Sequence, residues 1–208
     1  MRREIKILER MNHPNIVRLG ESFDDKKAVY LISEYCGGGS LHSLLKSKSN
    51  RQLRECEARP LFRQLVSALK YCHSISITHR DIKLENVLLT EDQKSVKLID
   101  FGFSTCIPND RKIKIFCGTP SYMAPEIVNK EEYAGPPADI WALGVLFYAL
   151  LNGRFPFKGR TDEELYSRIN ECNYAIYKHM SKSVRDLLER MLDVNPDTRI
   201  TAAEIMEH

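Results

Sequence analysis

Four polar residues within a stretch of twenty positions have the types and spacing that phosphoryl transfer requires. Asp81, Lys83 and Asn86 stand at positions i, i+2 and i+5, and Asp100 follows a predicted hairpin. Moving a phosphoryl group needs a metal ion that neutralises the phosphates, a cation on the moving group, and a carboxylate that orients the attacking hydroxyl. Two aspartates, one lysine and one asparagine supply that set. Each of them alone is an ordinary surface residue, so only their combination carries weight.

Hydrophobic periodicity predicts the elements that must position these side chains. Apolar residues three or four apart predict helices over 3–11 and 55–74, and an apolar run predicts a buried helix from Asp139. Pro60 argues against the first turn of the second helix, because proline lacks a backbone donor. Strands are predicted over 16–23, 28–35, 87–89 and 96–99, and a long irregular segment over 100–126. A small mixed region is thus followed by a larger helical one.

The composition of the 208-residue chain is that of an ordinary folded protein, with 43% hydrophobic and 28% charged residues. The formal net charge of +3 points to neither nucleic acid nor a membrane surface as a partner. The six cysteines contain no Cys-x-x-Cys pair, so reduced thiols are expected instead of a zinc or redox site. No apolar stretch has the length of a membrane span, and we expect a cytoplasmic protein, with the nucleus also compatible. The oligomeric state is left open.

Several short motifs occur together in the order of one known family. His79-Arg80-Asp81 precedes Asp100-Phe101-Gly102, and Ala124-Pro125-Glu126 follows. With these motifs the chain resembles the eukaryotic serine/threonine protein kinase family over nearly its whole length, and most of all the calcium/calmodulin-dependent and AMP-activated-like group. The resemblance implies an α+β, protein-kinase-like fold of two lobes. It also implies transfer of the ATP γ-phosphate to serine or threonine hydroxyls of a protein substrate.

The resemblance implies a role for each of the four polar residues described first. Asp81 orients the substrate hydroxyl, Lys83 contacts the transferred phosphate, and Asn86 and Asp100 bind Mg²⁺. The nucleotide-binding residues implied in the same way are Glu34, Cys36, Lys83, Glu85, Asn86, Leu88 and Asp100. ATP and Mg²⁺ are therefore the expected cofactors.

The family pattern also implies residues that support the catalytic ones. Glu126 is expected to form a buried ion pair with Arg199. Asp139, at the start of the predicted buried helix, is expected to hold the backbone of the catalytic loop, which contains His79-Arg80-Asp81. Thr119 is expected to support Asp81. All three contacts link positions that are far apart in the sequence.

Ile115 stands where many relatives carry a phosphorylated threonine in the activation segment, the stretch over 100–126. An isoleucine cannot supply the negative charge that Arg80 would neutralise. We therefore predict that any activation does not depend on phosphorylation at this position. Ser104 and Thr105 are the remaining hydroxyls between Phe101 and Cys117.

The first residues match the middle of the family's small lobe. Glu4 matches the glutamate of helix C, whose lysine partner lies on a preceding strand together with a glycine-rich loop. The chain begins three residues before Glu4. We expect an incomplete small lobe over 1–36 and a mainly helical large lobe over 37–208, with Gly37-Gly38-Gly39 as a candidate hinge.

Three interpretations of the missing lysine and glycine-rich loop stay open: the sequence is a fragment of a complete kinase, a short protein with weak activity, or a catalytically impaired pseudokinase-like scaffold. A separate rival for the function is a small-molecule phosphotransferase with the same fold. The intact catalytic set favours the first. The Ala124-Pro125-Glu126 segment counts against the last, because it resembles peptide-docking machinery.

Overall fold

Helices are the main regular elements of the described part of the chain, and its strands form three small antiparallel pairs. The computed structural model of the chain describes residues 2–25, 27–108 and 111–208. The helices are α1 (Arg2–Leu8), α2 (Leu41–Ser47), α3 (Glu55–Ser74), α4 (Pro125–Val128), α5 (Gly135–Asn152), α6 (Asp162–Glu171), α7 (Lys182–Met191) and α8 (Ala202–Glu207). The strands are β1 (Leu19–Asp24), β2 (Val29–Ser33), β3 (Ile77–Thr78), β4 (Val87–Leu89), β5 (Val96–Leu98) and β6 (Thr105–Cys106). The predicted α+β class is confirmed.

The large helical region is built around α5, which is buried along almost its whole length. A helix that is apolar on all sides has to lie in the core. The face of α3 that packs on it carries Leu65 and Leu69, and the Phe62 and Phe147 rings stack with centroids 4.0 Å apart. Within the described ranges, no helix has the length and apolar character needed to cross a membrane.

The β4–β5 hairpin brings two of the candidate residues to one end of the same element. A short 3₁₀ turn over Leu84–Asn86 leads into β4, and Asp100 follows β5. The strands are antiparallel, with Val87 opposite Leu98 and Leu89 opposite Val96. The Ile99 amide donates to the Asn86 carbonyl at 3.0 Å. Antiparallel pairing therefore places Asn86 opposite Ile99, the residue before Asp100, so both candidate residues lie at the same end of the hairpin.

Two elements have boundaries in the structure that differ from the predicted ones, and hydrogen bonding explains both differences. The helix predicted over 3–11 ends at Leu8, because Met11 already donates to the Leu8 carbonyl in a tighter turn. The strand predicted from residue 16 begins at Leu19. The residues before it pair with β5 instead: the Val17 amide donates to the Leu98 carbonyl, and the Leu98 amide donates to the Asn15 carbonyl.

The prediction against the first turn of α3 was wrong. Arg54 caps the helix, and its amide donates to the Glu57 carboxylate at 2.9 Å. This local capping satisfies donors that have no partner within the helix. Pro60 therefore lies inside an intact helix. Similarly, α5 begins at Gly135, four residues before Asp139, because Pro136 and Pro137 fit the first turn of a helix.

Candidate active site

The carboxylate of Asp81 lies at the centre of a network that contains three other side chains. Its Oδ1 accepts a hydrogen bond from the Thr119 hydroxyl at 3.0 Å. Its Oδ2 accepts from the Lys83 ammonium at 2.6 Å and from the Asn86 amide at 3.0 Å. Asn86 also donates to the Asp81 carbonyl at 2.9 Å. The expected support from Thr119 is confirmed, and Asp81, Lys83 and Asn86 form one site.

A second buried carboxylate holds the backbone of the catalytic loop. Asp139, on the first turns of α5, accepts from the His79 amide at 2.9 Å and from the Arg80 amide at 2.8 Å. Its Oδ2 also lies 3.0 Å from His73 Nε2 on α3. Arg80 has φ +69°, a left-handed conformation that is unfavourable for a residue with a side chain. The two hydrogen bonds that Asp139 accepts offset that strain, and the predicted role of Asp139 is confirmed.

His79 connects the catalytic loop to the start of the activation segment. Its imidazole is fully buried, its Nδ1 accepts from the Asp81 amide at 3.2 Å, and its Nε2 lies 3.0 Å from the Ile99 carbonyl. These partners require a neutral ring with the proton on Nε2. Burial lowers the pKa of His79, which agrees with a neutral ring. The ring also meets the Phe101 ring edge-on at 4.7 Å.

Asn86 and Asp100 offer the oxygen ligands that Mg²⁺ prefers. The Asn86 amide nitrogen is used by Asp81, which leaves its carbonyl oxygen for a metal. Asp100 is exposed and has φ +62°, and its Oδ1 accepts from the Gly102 amide at 3.2 Å. The described residues contain no cluster of three or more histidines, cysteines or carboxylates that could hold a metal alone. The donors present fit Mg²⁺, which typically binds one or two carboxylates together with substrate phosphates and water.

Glu4 on α1 faces the Asp100-Phe101-Gly102 motif. A side-chain carbon built on Gly102 would lie 3.8 Å from Glu4 Oε2 and 3.1 Å from Asp100 Oδ1. Burial raises the pKa of Glu4, and the nearby Asp100 carboxylate raises it further. A cation placed between the two carboxylates would lower that pKa again.

The remaining nucleotide-binding candidates lie along the connection between β2 and the β4–β5 hairpin. Lys97, opposite Leu88 in the hairpin, binds the Glu34 carboxylate with its ammonium at 2.8 Å. Glu34 Oε1 also accepts from the Arg18 amide at 2.7 Å. The side chain of Glu34 is therefore engaged by the protein, and its amide donates to the Arg18 carbonyl at 3.0 Å, which leaves its carbonyl for a nucleotide. The thiol pKa of Cys36 is raised by burial and by Glu34, so this thiol is a poor nucleophile.

The glycine run after Cys36 packs tightly against the same hairpin. The Gly38 amide donates to the Leu89 carbonyl at 3.0 Å, and the Leu89 amide donates to the Gly39 carbonyl at 2.8 Å. A side-chain carbon on Gly38 would lie 2.2 Å from the Thr90 carbonyl oxygen, so only glycine fits there. Glu85 is exposed, and its carboxylate lies 3.9 Å from His42 Nδ1 on α2.

The buried ion pair expected far from the catalytic loop is confirmed. Arg199 donates to both carboxylate oxygens of Glu126, at 2.8 and 3.1 Å. The sequence reasoning missed Lys97 as a partner of Glu34. A signal for it was present, because Lys97 alternates with the buried Val96 and Leu98 in a strand and so lies on the opposite face.

Comparison with known proteins gives the family. A protein kinase domain model matches residues 1–208. The chain is 43% identical over 208 residues to the NUAK family SNF1-like kinase 1 of Mus musculus, with 100% of this chain and 31% of the relative covered. It is 40% identical over 208 residues to the probable serine/threonine-protein kinase MARK-A of Dictyostelium discoideum, with 100% of this chain and 19% of the relative covered.

The mitosis inducer protein kinase cdr1 of Schizosaccharomyces pombe is 40% identical over 205 residues, with 99% of this chain and 34% of the relative covered. The chain thus spans between 19% and 34% of the length of these curated relatives. It belongs to the protein kinase domain family; the three relatives are kinases by name, and MARK-A is a probable serine/threonine-protein kinase.

Proposed function

We propose that this chain carries the catalytic residues of a serine/threonine protein kinase that transfers the γ-phosphate of ATP to a protein hydroxyl with Mg²⁺. The observation that supports this most is the network around Asp81. Three donors from Thr119, Lys83 and Asn86 fix the orientation of one carboxylate at a partly open site. A fixed carboxylate can accept a hydrogen bond from a substrate hydroxyl and orient its oxygen for attack.

Lys83 is placed to serve both the protein and a phosphate. Its ammonium donates to Asp81 at 2.6 Å and lies 3.3 Å from the Thr119 hydroxyl. An ammonium has three donors, so one remains for a phosphate oxygen. The side chain is 22% exposed, which leaves a path for that contact. Mg²⁺, held by Asn86 and Asp100, would neutralise phosphate charge during transfer.

The substrates and partners of the whole protein are part of this proposal, because the relatives are much longer than the chain. The scaffold alternative gains no support from the geometry. A protein that has abandoned catalysis has no chemical need to hold Asp81 with three donors, or to keep Arg80 in a strained conformation beside it.

The proposal is tested with Asp81→Asn in a peptide phosphorylation assay with Mg²⁺ and ATP. The substitution keeps the shape and removes the charge, so the rate should fall by about 10²–10⁴-fold, the usual contribution of a positioned acid or base. Asp92→Asn, in the exposed turn between β4 and β5, is the matched control and should keep the wild-type rate.

Nucleotide binding is measured separately by thermal shift. Asp100→Asn should abolish the stabilisation by Mg²⁺ and ATP, whereas Asp81→Asn should retain it. The proposal fails if the wild-type chain shows neither phosphorylation nor a nucleotide-dependent shift, or if Asp81→Asn works within twofold of wild type.

A further inference from the structure

Two side chains from distant elements bind the same main-chain oxygen of the activation segment. The Tyr133 hydroxyl donates to the Ile115 carbonyl at 3.3 Å, and Arg80 Nη1 donates to it at 3.4 Å. Arg80 Nε also donates to the Phe103 carbonyl at 2.6 Å. The guanidinium beside the catalytic Asp81 therefore binds two neutral main-chain oxygens, one near the start of the segment and one in its middle.

Tyr133, between α4 and α5, also pairs with this segment through its backbone. The Ile113 amide donates to the Tyr133 carbonyl at 2.8 Å, and the Tyr133 amide donates to the Ile113 carbonyl at 3.2 Å. The side chain is buried, and its ring centroid lies 6.4 Å from that of Phe116. Burial raises the pKa of Tyr133 to about 12, so its hydroxyl remains a neutral donor at every ordinary pH.

We propose that Tyr133 is a positioning residue for the activation segment, which it holds through the Ile115 carbonyl together with Arg80 and without a phosphate. The acceptor is a main-chain oxygen, so the isoleucine side chain takes no part in the contact. That side chain is 63% exposed. The contacts thus give a physical reason why an uncharged residue is tolerated at position 115.

The position of Ile115 is transmitted to the active site over a short stretch of chain. Cys117 and Gly118 follow, and then Thr119, which donates to Asp81. Behind this stretch lies a cavity of about 20 Å³ whose lining includes Tyr133, Thr119 and Asp81. That volume holds about one water molecule, so the side of this stretch that faces Tyr133 is closely packed. The effect on the reaction rests on the proposed function, whereas the structural effect does not.

The test is limited proteolysis with trypsin, which does not depend on catalysis. Arg111, Lys112 and Lys114 are exposed and lie within the segment. Tyr133→Phe removes only the hydroxyl, and cleavage after these residues should become about three- to tenfold faster, the factor expected for losing one ordinary hydrogen bond. Ile115→Ala should leave the cleavage rate unchanged, because the carbonyl remains.

Tyr148→Phe is the matched control. Its hydroxyl donates to the Ala175 carbonyl at 2.8 Å, away from the activation segment. This variant should lose comparable thermal stability without faster cleavage in the segment. The proposal is overturned if Tyr133→Phe is cleaved at the wild-type rate, or if Tyr148→Phe accelerates cleavage in the segment equally.

A kinetic measurement extends the test to function. If the chain phosphorylates a peptide, Tyr133→Phe should raise the KM for the peptide and leave the KM for ATP unchanged. A change confined to the KM for ATP would contradict the proposal. An inactive wild-type chain would count against the proposed function only, since the proteolysis result stands independently.

Discussion

The ion pairs Arg199–Glu126 and Lys83–Asp81 both have a buried carboxylate, but their cations differ in exposure and in how many of their donors are used. Arg199 uses all five of its N–H groups: two bind Glu126, and three bind main-chain carbonyls within 3.4 Å. Its side chain is 0% exposed, and its guanidinium lies 5.1 Å from the centre of the Trp141 ring. Lys83 is 22% exposed and contacts only Asp81 and Thr119 among the described residues.

The difference separates a pair that holds the fold from a pair that can do chemistry. A buried charge is tolerated only when its partner and its other donors are satisfied. Arg199 meets that condition completely, so it can bind nothing else. Lys83 retains a donor and a path to solvent, although the Asp81 side chain, 2% exposed, is as buried as that of Glu126. An unused donor on Lys83 is therefore the feature that distinguishes the proposed catalytic pair.

Breaking the buried Arg199–Glu126 pair should have the largest effect on the free energy of unfolding. Arg199→Met leaves the Glu126 carboxylate buried without its cation, and this should reduce the free energy of unfolding by about 3–5 kcal/mol. Urea denaturation followed by circular dichroism measures it. The double variant Arg199→Met with Glu126→Leu should recover part of the loss, because no buried charge then remains. A single-variant loss below about 1 kcal/mol would show that the pair is not structural.

Breaking the Lys83–Asp81 pair should reduce stability less than breaking Arg199–Glu126, and it should reduce activity more. Lys83→Met removes one charged hydrogen bond from Asp81, which keeps its donors from Asn86 and Thr119. The free energy of unfolding should fall by about 1–2 kcal/mol. In the peptide assay the rate should fall by far more than that loss explains at a temperature where the variant is folded. Equal stability losses for Lys83→Met and Arg199→Met would remove the contrast between the pairs.

The smallest expected effect concerns the neutral imidazole behind the catalytic pair. His79 is buried with a pKa below its ordinary 6.5, opposed only in part by the charges of Asp139, Asp81 and Asp100. The unfolded chain therefore binds a proton first as the pH falls, and stability decreases below about pH 6.5. This one group contributes a slope of at most about 1.4 kcal/mol per pH unit.

His79→Gln should flatten that slope in urea titrations between pH 7.5 and 5.5. His13→Gln is the comparison variant. Burial also lowers the pKa of His13, which lies in the turn after α1, so this variant should flatten the slope as well. An unchanged slope in His79→Gln would mean that His79 is not the titrating group.

Much of the site was predictable, because its residues are close together in the sequence. Asp81, Lys83 and Asn86 lie within one loop, and a hairpin with regular alternation brings Asp100 to the same end. Element boundaries were less predictable. Residues 15–17 look like the start of β1, yet they pair with β5, which lies about eighty residues later. Local pattern cannot indicate which distant strand edge a short apolar stretch will join.

The sequence alone determined which chemical groups the protein has and the order in which they occur, since motif spacing and strand alternation are local properties. Only the tertiary structure decided which groups meet. Asp139 reaches the His79 amide across 60 positions, and Tyr133, just before α5, reaches the Ile115 carbonyl across 18. The physical reason is that these contacts depend on how buried helices pack, and burial brings together residues that have no local relation to each other.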